Sequence, residues 1–240
     1  MDKTQTAIVT GASSGIGLGL TKALLANGYR VVANARRATA AGTLEPSEHL
    51  AVIDGDVANP ETAAALTRTA VDRFGSLDLL VNNAGIFIAK AFTDTAAEDF
   101  ESLVATNLTG FFHVTQSAVR QMRTQGSGHV VTISTSLASQ PIRGVSASLS
   151  ILTKGGLNAA TRALAIEHAK DGVRFNAVAP GIVDTPMHVA ASHGFLKTLH
   201  PIERLATVDE IVDAVLYLDK AGLVNGEVVH VDGGAHAGKW

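Results

Sequence analysis

Proton transfer, anion binding and hydrogen bonding are the chemistries this chain's polar residues could support. Lys154 closes the run Ser150-Ile151-Leu152-Thr153-Lys154. Three histidines, His188, His193 and His200, crowd one stretch. Histidine suits proton transfer because its pKa lies near about 6.5. Ser150, Thr135 and Ser136 bring aliphatic hydroxyls, which hydrogen-bond well but are far less acidic than a phenol. Asn107 brings an amide that could bond back to its own helix. A zinc site is not expected: the histidine spacings of five and seven match no compact metal motif, and the chain has no cysteine.

Anion binding is the stronger signal. The run Thr6-Ala7-Ile8-Val9 is short and apolar, and glycines follow at 11, 15 and 17. Gly11 allows a tight turn. Gly15 and Gly17 let the backbone approach a diphosphate at a helix N-terminus, where free N–H groups and the helix dipole favour an anion. Ser13, Ser14 and Ile16 fill the turn between them. The spacing is not the G-x-G-x-x-G of the ordinary dinucleotide fingerprint, because position 20 is leucine. After the second apolar run, Val31-Val32-Ala33, comes Asn34-Ala35-Arg36-Arg37. An NAD-binding chain of this type carries a carboxylate there for the ribose 2′-hydroxyl. Here the slot holds Ala35, and a guanidinium from Arg36 can pair with a 2′-phosphate. NADP(H) is therefore expected over NAD(H).

Apolar runs and amphipathic helical stretches alternate along the rest of the chain. Further strands are expected at Leu50-Ala51-Val52-Ile53, Leu79-Leu80-Val81, Val130-Val131-Thr132-Ile133, Phe175-Asn176-Ala177-Val178 and Glu227-Val228-Val229-His230-Val231. Helices are predicted near 96–106 and 108–124, and a long one from about Ser150 to Lys170. Continuous apolar strands imply burial on both faces, hence a parallel sheet under helices. The predicted fold is α/β: a single doubly wound domain spanning 1–240, with about seven parallel strands and helices on both faces. Periodicity weakens between about 185 and 207, which is expected to leave the sheet's binding edge as a lid.

The motifs resemble the short-chain dehydrogenase/reductase family. They are Thr10-Gly11-Ala12-Ser13-Ser14-Gly15-Ile16-Gly17, Asn82-Asn83-Ala84-Gly85, Lys154 and Pro180-Gly181, with Val231-Asp232-Gly233-Gly234 near the end, so the resemblance covers essentially the whole chain. It implies a Rossmann fold and a nicotinamide cofactor. Asp56 and Val57 would contact adenine, although Asp56 could as well open the helix that Asn59-Pro60 begins. Asn83, Ala84 and Gly85 would form the turn beside the cofactor, with Asn82 helping to hold the strand ends. In Pro180-Gly181-Ile182-Val183-Asp184-Thr185, Ile182 would offer backbone groups to the carboxamide and Thr185 a hydroxyl. The family's active site uses Asn, Ser, Tyr and Lys. Asn107 and Lys154 match the first and last, and Lys154 would also bond the nicotinamide ribose. The serine slot falls on Thr135 counted from Ile133 and on Leu137 counted back from 150, so Thr135 or Ser136 fills it, with Ser136 taken here. The tyrosine slot holds Ser150. The only tyrosines, Tyr29 and Tyr217, lie elsewhere.

Composition limits the alternatives. With 46% hydrophobic residues, 17% charged residues and a net charge of -3, neither nucleic acid nor an anionic membrane is an expected partner. No apolar run is long enough to span a bilayer and no signal pattern opens the chain, so a cytoplasmic location is expected. The resemblance also implies a homotetramer or homodimer. Two functions follow. One is an NADP(H)-dependent oxidoreductase acting on a carbonyl or alcohol of a small apolar substrate, with an altered proton-transfer site. The other is an NADP(H)-binding sensor or subunit with little or no reductase activity.

Overall fold

The seven apolar runs become seven strands because each can hide both faces only inside a covered sheet. In the computed structural model, which describes residues 4–37, 42–188 and 192–238, they are β1 (Thr6–Thr10), β2 (Arg30–Ala35), β3 (Leu50–Asp54), β4 (Leu79–Asn82), β5 (Gly128–Ile133), β6 (Val173–Pro180) and β7 (Val228–Val231). All pair in parallel, in the order β3-β2-β1-β4-β5-β6-β7. The winding reverses between β1 and β4.

Alternate side chains of one strand feed opposite cores. Ala7 and Val9 face α1 (Gly15–Ala26) and α7 (Val208–Lys220), with Leu20, Leu24, Ile211 and Val215. Ile8 faces the other layer, built from α2 (Pro60–Phe74), α4 (Gly110–Gln125) and α5 (Ser148–Glu167), with Leu66, Val114, Met122 and Phe175. Each of the larger of these side chains, fully buried, contributes about 1.5–3 kcal/mol. Local signals set the helix ends. Asn59 caps α2 by accepting from the Glu61 N–H, Pro60 follows at the first helical position, and Gly75 ends the helix at φ 87°.

Two predicted helices turn out to be one continuous run. Helix α3 (Ala97–Leu103) passes into α4 through a π-helical stretch at Val104–Thr109, with Asn107 inside it. The long helix α5 begins two residues before its expected start and gives way to a 3₁₀ turn at Ala169–Asp171. The weakly periodic stretch contains a short helix α6 (His193–Leu196) and a 3₁₀ turn at Lys197–Leu199; residues 189–191 of the expected lid lie outside the described residues. An isolated bridge between Val183 and Ala206 ties its two ends together.

At the amino end of the sheet a buried polar cluster joins β2, β5, β6 and α7. Asp219 accepts from the Tyr29 hydroxyl and pairs with His129 Nδ1 at 3.1 Å, while His129 Nε2 accepts from Asn176 at 3.0 Å. The Arg174 guanidinium donates to the carbonyls of Leu218, Asp219, Ala221 and Val224. Burial is the main cause that pushes His129 below its ordinary value. Burial works against Asp219, but hydrogen bonds from His129 and Tyr29 still hold its carboxyl below the usual range. Both folded-state pKa values are depressed, so both groups contribute stability that is complete above their unfolded values and is lost as pH falls. The expected outcome is a decline in urea stability as pH drops below about 6.5, by up to about 1.4 kcal/mol per unit for His129. His129→Gln should show a shallower decline between pH 6.5 and 5 in the same titration; an unchanged slope would remove His129 as the cause.

Candidate active site

A cleft of about 1250 Å³ runs across the carboxyl ends of the strands, where the winding reversal opens a crevice. Side-chain bonds hold that crevice in shape. Thr10 Oγ1 accepts from the N–H groups of Asn83 and Ala84, each at 3.0 Å. Asn83 Nδ2 donates to the carbonyls of Thr10 at 2.9 Å and Gly11 at 3.2 Å. Asn83 therefore joins the ends of β1 and β4. Asn82 turns away and donates to Thr115 Oγ1 on α4 at 2.8 Å.

The glycines shape this turn for separate reasons. Gly11 has φ 66°, and a Cβ there would stand 2.9 Å from Asn83 Nδ2. Gly15, at φ 51°, begins α1, and the N-cap residue Ser14 makes no side-chain cap bond, so N–H groups at the helix start are left for a ligand. Gly11, Ser13, Ser14, Gly15 and Ile16 line the cleft. Gly17 does not; a Cβ there would lie 2.2 Å from the Gly11 carbonyl oxygen. Its role is to let α1 dock against the turn.

At one end of the cleft stand Ala35, Arg36, Arg37, Asp56 and Val57. Arg36 and Arg37 are exposed, and among the described residues neither has an ion-pair partner. Asp56 Oδ1 accepts from the Ala58 N–H at 2.9 Å, a turn bond. Val57 is buried against Gly110, where a Cβ would meet Val57 Cγ2 at 2.5 Å.

The other end gathers Ala84, Gly85, Thr135, Ser136, Lys154, Pro180, Gly181, Ile182 and Thr185. Lys154 is 8% exposed, and its Nζ donates to the Ile133 carbonyl at 2.7 Å. Burial pushes its pKa down to about 8. Ser136 is buried, while Thr135 Oγ1 accepts from the Leu137 N–H and starts a 3₁₀ turn. Asn107 lies behind the cleft. Its Oδ1 accepts from the Ile86 N–H at 2.9 Å, and its Nδ2 donates to the Ile86 carbonyl and to Thr153 Oγ1. Apolar side chains of Ile86, Phe87, Ile142, Val145, Phe195 and Leu196 complete this end.

Besides Gly17, three placements differ from the sequence expectations. Ser150 is fully buried outside the cleft lining. Its Oγ accepts from the Ile88 N–H at 2.8 Å and donates to the Ile88 carbonyl at 3.0 Å, so the hydroxyl fastens the segment after β4 to α5. Ile182 does not offer a free N–H, which donates to His200 Nε2 at 2.8 Å; its carbonyl accepts from the Ala206 N–H. His200 is therefore no surface histidine. It is 2% exposed, and its Nδ1–H donates to the Arg204 carbonyl at 2.6 Å, which leaves Nε2 as the acceptor. No periodicity signals these bonds, because Ser150 and His200 Nε2 bind main-chain groups of other segments. His188 borders the cleft, while His193 lies 3.8 Å from Asp184.

Residues 11–236 match a family described as enoyl-(acyl carrier protein) reductase. The 3alpha-hydroxysteroid dehydrogenase of Mediterraneibacter gnavus is 35% identical over 99% of each chain. The 3-oxoacyl-(acyl-carrier-protein) reductase FabG of Staphylococcus aureus is 32% identical over 98% of this chain and all of its own. Among solved structures, ElxO with NADP bound superposes with a TM-score of 0.90 at 27% identity, covering 98% of this chain and 100% of ElxO. A Tyr-to-Phe variant of ElxO with NADPH bound gives 0.91. The 3-ketoacyl-(acyl-carrier-protein) reductase of Brucella melitensis, complexed with NADH, gives 0.90 at 27% identity over 97% of this chain and 98% of its own. These relatives are oxidoreductases of one kind, aligned from end to end, and the chain belongs with them to the short-chain dehydrogenase/reductase family.

Proposed function

We propose that the protein is an NADP(H)-dependent oxidoreductase that interconverts a carbonyl and an alcohol on a small apolar substrate, with an altered proton-transfer site. The observation that carries this reading is the continuity of one cleft from the Gly11–Gly15 turn to Lys154. The first is shaped for a diphosphate, and the second puts a titratable cation beside apolar walls. When bound, the nicotinamide supplies hydride transfer. The chain's own residues do the rest. Gly15, Ile16 and the start of α1 take the diphosphate. Arg36 meets the 2′-phosphate, and no carboxylate at position 35 opposes it. Lys154 takes one hydroxyl of the ribose, Thr185 the amide side, and Ser136 hydrogen-bonds the substrate oxygen. Leu196 and Phe195 exclude water from that end. Asn107 sets the wall at Ile86.

The absence of cysteine supports a reducing cytoplasm as the location. The exposed Phe112 on α4 and Leu152 and Ile166 on α5 support assembly of two or four copies through those helices. One observation favours the second reading, a nucleotide-binding protein of little reductase activity. Position 150 has no phenol, and its hydroxyl is fully engaged with Ile88. The neighbour ElxO holds NADPH after a Tyr-to-Phe change, so a cofactor can bind such a variant. The deciding experiment pairs NADPH binding with NADPH consumption over a panel of ketones, β-keto esters and aldehydes. Binding with turnover supports the oxidoreductase; binding without turnover supports the second reading.

Wild type should bind NADPH more tightly than NADH. Arg36→Ala should weaken NADPH binding about 10- to 100-fold, as loss of a charge-assisted hydrogen bond of about 1.5–3 kcal/mol implies, and leave NADH binding nearly unchanged. Equal affinities in wild-type fluorescence titrations would refute the preference.

Ser150→Ala should cost about 1–3 kcal/mol of stability, because two main-chain groups of Ile88 lose their partner. Ser150→Tyr should cost more and should not raise carbonyl reduction, since a ring at a fully buried position must displace the Ile88 segment. Denaturant melts and NADPH assays of both variants check this; a Tyr variant both stable and faster would show that the space exists.

A further inference from the structure

Carbonyl reduction consumes a proton, and the hydroxyl at position 150 is turned away from the cleft. We infer that Lys154 is itself the catalytic acid, its ammonium giving a proton directly to the substrate's carbonyl oxygen. This rests on the oxidoreductase reading above.

The geometry around Nζ carries the inference. Among the described residues its one hydrogen bond goes to the Ile133 carbonyl at 2.7 Å, and an ammonium has three donors, so two remain, one for the ribose and one for the substrate oxygen. The approach is open because position 85 is glycine. A Cβ there would stand 2.8 Å from Nζ and 3.2 Å from Asn107 Oδ1, closing the space beside the ammonium. Asn107 cannot hold the proton, since its amide is spent on Ile86 and Thr153. The segments packed around the lysine bring the Gly85 backbone, the Asn107 amide, the Ile133 carbonyl and the Ser134 hydroxyl, which bonds the lysine's own carbonyl at 3.3 Å. None of these groups is charged or titrates near neutrality, and burial is the cause that brings the lysine down to about 8. Such a lysine is still mostly ammonium at pH 7, yet gives up its proton far more readily than an exposed one at about 10.4.

The step balances. Bound NADPH would supply the hydride, with its electron pair, that forms the new C–H bond at the carbonyl carbon. The C=O π pair moves to oxygen. The Lys154 N–H bond breaks as the alcohol O–H bond forms. The neutral amine then takes a proton from water at the cleft mouth. His188 is the rival donor. It borders the same cleft, but burial and the nearby His193 lower its pKa, so it is mainly neutral at pH 7.

The test uses the whole protein, NADPH and ethyl acetoacetate, with two readouts. In the cofactor-free protein, nitrogen-resolved NMR of the lysine ammonium groups should show one group titrating near pH 8, and Lys154→Arg should remove it. In single-turnover NADPH oxidation, wild type should be flat below about pH 7 and fall tenfold per unit above about 8. Lys154→Arg keeps the charge but cannot release a proton. It should oxidise NADPH at least about 100-fold more slowly, as loss of a general acid implies, with no limb near pH 8 and with its NADPH dissociation constant within a few-fold. Lys154→Ala should regain rate when ethylammonium is added. His188→Gln should keep the limb.

A wild-type rate flat to pH 10, a limb that survives in Lys154→Arg, or a limb lost in His188→Gln would each overturn Lys154 as the acid while leaving the oxidoreductase reading intact. If wild type binds NADPH but never oxidises it with ethyl acetoacetate or the wider carbonyl panel, both readings fall together.

Discussion

Thr10 and Asn83 hold the carboxyl ends of β1 and β4 at the one place where the winding of the sheet reverses. The constraint is geometric. Helices leaving neighbouring strands in opposite directions open a crevice between them, and main-chain groups at its edges lose their ladder partners. One hydroxyl accepting two N–H groups, and one amide donating to two carbonyls, satisfy those edges. With them satisfied, Gly11 can turn and α1 can start at the crevice, bare of any cap. Gly17 then sets how closely α1 can sit. Everything that lines the cleft from Ser13 to Gly85 inherits its position from this junction.

The opposite ends of the strands carry a different burden. There the buried cluster of His129, Asp219, Arg174 and Asn176 supplies donors and acceptors where α7 ends and the chain turns toward β7. No binding cleft is assigned to it. The two ends of the sheet thus divide the work: one is closed by a network of buried side-chain hydrogen bonds, and the other leaves Lys154 and the α1 N-terminus with unused donors. Unused donors cost stability when buried, which is why they occur at the cleft.

The fold was legible from sequence because its strands are uninterrupted apolar runs and its turns use glycine and proline for definite reasons. The α1 glycines could be read from spacing, as could Lys154 and the arginines after β2. What escaped detection was hydrogen bonding between side chains and distant backbone. Asn107 binds both main-chain groups of Ile86, and the π turn that carries it merges two helices that periodicity separates. Ser150 does the same with Ile88, and His200 does it with Ile182 and Arg204. In each case the side chain replaces a backbone partner for an irregular segment. Nothing in the local pattern of polar and apolar residues encodes which segment that will be. The same limit applied to the serine slot, where two counts from fixed points disagreed and spacing alone could not choose between Thr135 and Ser136.

The cleft is lined by Gly11 near one terminus and by Ala235 near the other. No partial chain can therefore hold it. While the protein is being synthesised, β1, α1 and the glycine turn between them emerge before the rest of the cleft, but the wall made by Pro180–Ile182 rests on His200 and Ala206, and β6 still waits for β7. Parallel pairing already orders such chains slowly, because contacts must close over long stretches of sequence. A dinucleotide cannot act as a template for that process. It can only bind the finished article, and its binding energy then opposes complete unfolding rather than guiding the early steps. A cell short of cofactor would fold this chain at the same rate and lose it sooner.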